Sequence, residues 1–208
     1  LAAYIINLKN FSSRLNNPFW IHLISYMNLG ACSLNLATLT TRFVFPQFSL
    51  EGKRLWIVGM APLGLNKVIR IKYTLACLIS MAITGALIFT SCRMLKMPVS
   101  QIAYFTMIIA IMTLTLNGLA MGLGVIYPNF KEDNPSKIVS GFGGTFCLVL
   151  SFLYIVGGIV LLALASPWRD HQHTWIIATG WGCFVMLSLV LGYLPYHVGV
   201  RRLRHLEI

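Results

Sequence analysis

The side chains that could do chemistry in this sequence lie in two short polar clusters. Glu132 and Asp133 are adjacent carboxylates, a pair that could take part in acid–base chemistry or hold a metal ion. No nucleophile or further ligand accompanies them, so we expect a solvated turn. Asp170, His171 and His173 could also bind a metal, but two histidines at i, i+2 in one short loop are weak evidence for a site.

Motifs that mark a catalytic centre are missing from the sequence, which has neither G-x-S-x-G nor H-E-x-x-H. The cysteines lack C-x-x-C spacing, so we expect small apolar helix residues and neither disulfides nor zinc ligands. All of them lie in or beside apolar runs: Cys32, Cys77, Cys92, Cys147 and Cys183. We therefore expect no enzyme activity, and no metal or cofactor bound by this chain.

The composition places these residues in a membrane. Of the 208 residues, 57% are hydrophobic and 10% are charged, with a mean hydropathy of +0.76, whereas a soluble domain carries about 25% charged residues. The 16 Lys and Arg against 5 Asp and Glu give a net charge of +11. These cations lie in short segments between apolar runs, where they set membrane orientation, so nucleic acid is not an expected partner.

Five stretches without a charged residue are long enough to cross a bilayer, which takes about 20 helical residues. They are Pro18–Thr41, Thr74–Cys92, Val99–Tyr127, Ile138–Trp168 and Thr174–Val200. The sequence therefore predicts an all-α fold, a polytopic transmembrane bundle of about five spanning helices in one domain over residues 1–208. The first stretch is the weakest because it holds His22, Asn28 and Asn35, and an interfacial helix is its alternative.

The distribution of basic residues predicts the orientation. If five helices alternate, one side of the membrane holds Arg42, Lys53, Arg54, Lys67, Arg70, Lys72, Lys131, Lys137, Arg201, Arg202 and Arg204. The other side holds only Lys9, Arg14, Arg93, Lys96 and Arg169. Basic loops stay in the cytoplasm, so we expect the richer side and the C-terminus to be cytoplasmic. Trp20, Trp168 and Trp175 lie near the predicted membrane boundaries, as an aromatic belt requires.

Residues 45–72 on the cytoplasmic side are too many for a plain connector. Ser49 is a candidate N-cap, with Glu51 in the first helical turn and Pro62 breaking that helix before a second one starts. Trp56 would anchor this helix–break–helix elbow at the membrane surface. The second helix would carry three cations at the headgroup level: Lys67, Arg70 and Lys72. The alternative is a basic interfacial helix that contacts only lipid headgroups.

The second informative segment runs from residue 126 to residue 144. Asn134 followed by Pro135 predicts a helix start, with an N-cap and then proline at the first helical position. Small residues then allow close helix approach: Ser140, Gly141, Gly143 and Gly144. Just upstream, Gly118 and Gly122 form a G-x-x-x-G pair with Gly124 beside it. We expect packing within the subunit, with a dimer seam as the alternative.

Polar residues inside the predicted spans are Asn28, Asn35, Asn117, Thr113 and Thr115. We expect each to hydrogen-bond to a neighbouring helix. The alternative for Asn117 is a place on a transport pathway. The spans contain no acid, which argues against a proton- or sodium-coupled carrier.

Two segments, FPQFSLEGKRLW with a following AP and PNFKEDNPSKIVSGFGG, together resemble the permease subunits of bacterial ABC exporters of the type-2 class. The matching residues are Pro46, Ser49, Leu50, Glu51, Gly52, Trp56, Pro62, Pro128, Phe130, Asn134, Pro135, Ser140, Gly143 and Gly144. Permeases of that class are longer. Because the chain also begins with Leu1, we expect it to be the C-terminal portion of one.

The resemblance implies a membrane-spanning exporter subunit in the bacterial inner membrane, paired with a second permease copy or a paralogue. A separate ABC-type ATPase would dock on the cytoplasmic segments and use the ATP. The docking residues would be Ser49, Glu51, Gly52, Lys53, Trp56, Pro62, Glu132, Asp133 and Asn134. The sequence has no G-x-x-x-x-G-K-[ST] phosphate loop of its own. The alternatives are a membrane accessory or assembly protein without transport activity and, third, a secondary carrier.

Overall fold

The computed structural model describes residues 18–52, 64–167 and 174–204. Of these residues 88% are helical and none lies in a strand, which confirms the all-α bundle. The helices are α1 (Pro18–Leu39), which continues into a π-helical turn (Thr40–Val44), α2 (Gln47–Leu50), α3 (Gly64–Met94), α4 (Val99–Ile126), α5 (Pro135–Ser140), α6 (Phe142–Leu164) and α7 (Thr174–Arg204).

Four of the described helices, α3, α4, α6 and α7, are long and apolar enough to cross a membrane. The first predicted span also forms a helix, α1, but its described residues are not among the four helices that are long and apolar enough to cross a membrane. Asn28 and Ser33 of α1 are buried, so part of the polarity of this helix faces the inside of the bundle. A fifth crossing by α1 stays a prediction.

One helix boundary differs from the sequence prediction. The predicted span from Ile138 to Trp168 is interrupted at Gly141, whose extended backbone (φ −71°, ψ 173°) ends α5 and begins α6. Gly144 makes this turn possible, because a Cβ there would collide with the backbone of Val139. Helix α3 begins at Gly64 and carries Lys67, Arg70 and Lys72 ahead of its apolar span, as expected of the second helix of the elbow, since such side chains can remain helical while their charged ends reach water.

The centre of the bundle is α4, which packs against α7, α3, α6 and α1. Two of its glycines face α7. A Cβ on Gly118 would lie 2.7 Å from the carbonyl oxygen of Gly192, and one on Gly122 would lie 2.5 Å from the backbone nitrogen of Tyr196. In this structure the G-x-x-x-G pair therefore packs against another helix of the same chain, where small residues let two backbones approach.

Hydrogen bonds between helices tie α3 to its neighbours. The Ser91 hydroxyl donates to the Asn28 amide oxygen over 2.7 Å, and the Ser80 hydroxyl donates to the Asn117 amide oxygen over 3.5 Å. One helical turn along the same two helices from Ser80 and Asn117, the hydroxyl oxygens of Thr84 and Thr113 are 3.3 Å apart. These contacts match the interhelical role expected of Asn28, Asn117 and Thr113.

Asn35 behaves differently from that expectation, because its amide donates to the carbonyl of Ala31 in its own helix. Thr115 also donates to its own helix, at the carbonyl of Ile111, but its hydroxyl hydrogen-bonds with Tyr154 of α6 as well, as expected. Short polar side chains can reach the carbonyl one turn back, which satisfies them without a neighbouring helix.

Candidate docking face at one end of the bundle

Both segments that carry the sequence motifs lie at the same end of the bundle. The chain leaves α1 and its π-helical turn there, and α4 ends beside that turn before α5 and α6 begin. The start of α3 and the end of α7 reach this end too, because Lys72 contacts Glu51 and Gly199 packs on Gly122. We call it the motif end; its described motif residues are 45–52 and 127–144.

Ser49 joins the two segments. It is buried, and its hydroxyl oxygen accepts a hydrogen bond of 3.1 Å from the backbone N–H of Asn129. The prediction that Ser49 is an N-cap is wrong. Helix α2 starts at Gln47, after Pro46, so Ser49 lies inside the helix. Its hydroxyl therefore bonds to a backbone group 80 residues away and not to the start of its own helix.

Aromatic side chains fill the space between the two segments. The rings of Phe48 and Phe130 have their centroids 5.9 Å apart. Gly52 lies against the Phe130 ring, and Gly124 lies against the carbonyl of Phe45, so close that a Cβ at either glycine would collide. At Gly124 the obstacle is backbone, which cannot move aside, whereas at Gly52 it is the half-exposed Phe130 ring, which packs directly on this glycine.

An ion pair attaches this face to α3. The Glu51 carboxylate pairs with the Lys72 ammonium, and both side chains are only partly exposed. Glu51 follows the last residue of α2, so the prediction that it occupies a first helical turn is wrong. Sequence reasoning did not find Lys72 as its partner. Opposite charges far apart in sequence give no spacing signal, and only the fold brings them together.

The loop between α4 and α5 is ordered by its own polar groups. The Asn134 side chain accepts a hydrogen bond of 2.9 Å from the N–H of Ser136, with Pro135 next, which confirms the predicted helix start. Glu132 pairs with Lys137 at 3.5 Å in an exposed position. This turn presents its charges to solvent beside Phe130, and Asp133 is exposed there too.

The remaining predicted site residues lie in different places. Ser140 is exposed and donates to the carbonyl of Lys137, so it differs from the expected close helix contact. Gly143 packs beneath Phe45 and Tyr127. Asn117 is fully buried between α3 and α4.

Several predicted residues lie outside the described part of the chain: Lys53, Trp56, Pro62, Trp168, Asp170, His171 and His173. Within the described part, no three His, Cys, Asp or Glu side chains group as a metal site would require.

Sequence reasoning missed the residues that hold the face together, namely Phe45, Phe48, Asn129 and Lys72. The aromatic residues were a usable signal, because Phe45, Phe48 and Phe130 all stand inside the two motifs. Apolar side chains in a segment expected to face the cytoplasm need a partner that covers them. Here the aromatic residues of each motif segment cover those of the other.

All 208 residues of the chain match one protein family, described as "Putative ATP-binding cassette". The chain belongs to this family. No curated protein and no solved structure matches it. This family membership links the chain to ABC transport machinery. The family's description, however, names an ATP-binding cassette and not a permease. Four of its described helices are long and apolar enough to cross a membrane, which agrees with a membrane location.

Proposed function

We propose that this chain is the membrane-spanning permease component of an ATP-driven exporter, to which a separate ATPase subunit docks at the motif end. The observation that carries the proposal is that two motif segments, distant in sequence, form a single face. Ser49 bonds to Asn129, and Phe48 packs on Phe130. A single face built from two segments suits a partner that must contact several helices at once, because each segment is connected to different helices.

The family's description allows another reading, in which this chain itself binds ATP. Phosphate loops follow a strand and open a helix with the pattern G-x-x-x-x-G-K-[ST]. This sequence lacks the pattern, and the described residues contain no strand. The permease reading therefore agrees better with the chain's composition, and it leaves ATP hydrolysis to the partner subunit.

The contacts of the face offer a route for mechanical force. A partner that pushes on Glu51 acts on the start of α3 through Lys72. The same push acts on the end of α4 through Ser49 and Asn129, and on the start of α6 through Phe45 and Gly143. Closure of two ATPases would in this way tilt the helices of two permease copies, or of a copy and a paralogue.

The proposed placement is the bacterial inner membrane, with the motif end and the C-terminus in the cytoplasm. Its support is the basic residues of the motif end, which include the exposed Arg42, Lys67, Arg70 and Arg201. The opposite end has Arg93 and Lys96 among the described side chains.

The test uses the full-length protein expressed with its ATPase. Glu51→Lys reverses the charge offered to the partner but also breaks the pair with Lys72. The double variant Glu51→Lys with Lys72→Glu restores the pair while the charge at position 51 stays reversed. We expect both variants to lower capture of the ATPase about tenfold, equivalent to about 1.4 kcal/mol, and to lower ATP turnover in the complex.

The matched control is Arg93→Gln at the opposite end of α3, which should leave ATPase capture unchanged. If the double variant folds and holds the ATPase as the wild type does, Glu51 is not a docking residue. If the wild type captures no ATPase at all, the accessory-protein alternative is favoured over the exporter.

A further inference from the structure

Besides the exposed Arg42 and Lys131, the described cations of the motif end fall into two groups. Lys72 and Lys137 are paired with Glu51 and Glu132. Lys67 and Arg70 on α3 and Arg201 on α7 are exposed, and among the described residues no carboxylate forms a salt bridge with them. We call Lys67, Arg70 and Arg201 the basic edge. Its charge is left for something outside the described chain to neutralise.

The helices of the basic edge meet through a pair of tyrosines. The rings of Tyr73 and Tyr196 have centroids 5.0 Å apart, and the Tyr73 hydroxyl donates to the carbonyl of Leu114 over 3.2 Å. Arg70 lies close enough to Tyr196 to interact with it electrostatically. The tyrosine pair therefore fixes how α3 and α7 are aligned along their length.

This alignment puts the two arginines at a similar depth. Helix α3 runs away from the motif end, so Arg70 lies three residues nearer that end than Tyr73. Helix α7 runs toward it, so Arg201 lies five residues nearer than Tyr196. At 1.5 Å per residue, these offsets are about 4.5 and about 7.5 Å, so the two charges differ in depth by only about 3 Å. Lys67 lies about 9 Å from the tyrosine level, one turn further out than Arg70.

Apolar side chains continue from this level toward the middle of the bundle. Exposed side chains follow on α3 and on α7: Leu75, Leu78, Leu189, Tyr193 and Leu194. On α7 the stacked rings of Tyr193 and His197 lie one turn apart, with Arg201 one turn further along the same side of the helix. This order of side chains, from aromatic ring to imidazole to guanidinium, is the one expected on a helix that runs from the hydrocarbon core to the headgroups.

We propose that the basic edge binds the phosphate of an anionic phospholipid, whose acyl chains lie along the exposed sides of α3 and α7. Guanidinium groups hold phosphate oxygens through paired, charge-assisted hydrogen bonds. A free anion would use the cations alone, whereas a lipid also covers the apolar side chains beside them. This site is separate from the docking face, and its existence does not depend on the proposed function.

The experiment measures lipid retained by the full-length protein after extraction into detergent, using native mass spectrometry. The probes are phosphatidylglycerol and zwitterionic phosphatidylcholine, added in equal amounts. We expect the wild type to retain phosphatidylglycerol preferentially. Arg70→Gln with Arg201→Gln should reduce its retention about tenfold, while Arg70→Lys with Arg201→Lys, which keeps both charges, should lose less. Thermal unfolding of each variant establishes that it is folded.

The matched control is Arg93→Gln with Lys96→Gln, which neutralises two exposed cations at the opposite end of α3. It should leave phosphatidylglycerol retention unchanged. The proposal is overturned if this control loses as much lipid as the neutral arginine pair, or if the arginine pair loses none. Displacement of the lipid by soluble glycerol phosphate at equal concentration would also overturn it, because the acyl chains would then contribute nothing.

Capture of the ATPase separates this proposal from the docking proposal. Neutralising Arg70 and Arg201 should leave ATPase capture at the wild-type level, and the Glu51 and Lys72 double variant should leave phosphatidylglycerol retention at the wild-type level. Either site can therefore fail in its own assay without affecting the other.

Discussion

Helices α4 and α7 are similar in length and in the hydropathy of their apolar windows but have opposite surroundings. Their apolar spans, Val99–Ile126 and Thr174–Arg201, are both 28 residues long, and the 18-residue apolar windows within them have mean hydropathies of 1.9 and 1.8. In the apolar window of α4, 83% of the residues are buried inside the protein, against 17% in that of α7. Hydropathy therefore says that both helices suit a membrane, but it does not say which one the other helices surround.

The difference between the two helices lies in their small residues. Gly118 and Gly122 of α4 face the backbone of α7, and Gly124 faces Phe45, so α4 is approached closely along more than one side. In α7, Gly192 and Gly199 face the backbone of α4, and Gly180 faces the Ala165 side chain at the end of α6, but Gly182 has no heavy atom within 4 Å of where its Cβ would stand. Lipid tails are as apolar as leucine, so close backbone packing and not apolarity selects the central helix.

The largest expected effect breaks this packing directly. Gly122→Leu would place a side chain where the backbone of Pro195 lies, and backbone atoms cannot move aside as a flexible side chain can. Overpacking of this kind costs about 1–3 kcal/mol or more, so we expect a lower midpoint of thermal unfolding and a smaller yield of folded protein. Gly182→Leu in α7 is the matched control, with a yield and midpoint like the wild type. Equal losses in both variants would contradict the contrast between the helices.

A second comparison truncates one methionine in each helix. Met112 of α4 is completely buried and touches Ser33 and Gly158, while Met186 of α7 is 66% exposed. We expect Met112→Ala to lower the free energy of unfolding by about 2–5 kcal/mol, because it leaves a cavity. Met186→Ala should change it by less than about 0.5 kcal/mol. Reversible unfolding in detergent measures both, and a large effect at Met186 would indicate that another surface covers α7.

The smallest expected effect concerns hydrogen bonds. Ser80 and Asn117 bond between α3 and α4, whereas Thr179 of α7 bonds only to carbonyls of its own helix. A double-mutant cycle of Ser80→Ala and Asn117→Leu should give a coupling of about 0.6 kcal/mol, the average for such pairs in membranes. Thr179→Val should be close to neutral. A coupling near zero would mean that the 3.5 Å contact contributes nothing to holding α3 against α4.

Much of the fold could be predicted from the sequence because the bilayer imposes a simple rule. Backbone groups in hydrocarbon must be satisfied within a helix, so a long apolar stretch predicts a helix with few alternatives. The predicted helix start at Asn134 is confirmed for a similar reason, since an N-cap followed by proline acts within one turn. The break at Gly141 was missed because a glycine has no side chain whose pattern predicts an extended backbone.

The candidate site was predictable only in part. Both motif segments were identified, as were Glu51, Gly52 and the turn around Glu132. Their joining was not, because the hydrogen bond from Asn129 to Ser49 and the pair of Glu51 with Lys72 link residues that are far apart in the sequence. Ser49 fits an N-cap by residue type, but in the folded chain it lies inside α2 and its hydroxyl accepts a hydrogen bond from the N–H of Asn129 in another loop.

The sequence by itself determined that this protein is a bundle of membrane-type helices, since apolar length and backbone hydrogen bonding are local properties. It also determined where the cations lie along the chain. The tertiary structure alone decided that α4 is central and α7 peripheral, that the two motifs form one face, and that some cations are paired while those of the basic edge form no salt bridge with a described carboxylate. Those outcomes depend on contacts between segments remote in sequence, and only the folded chain brings such segments into contact.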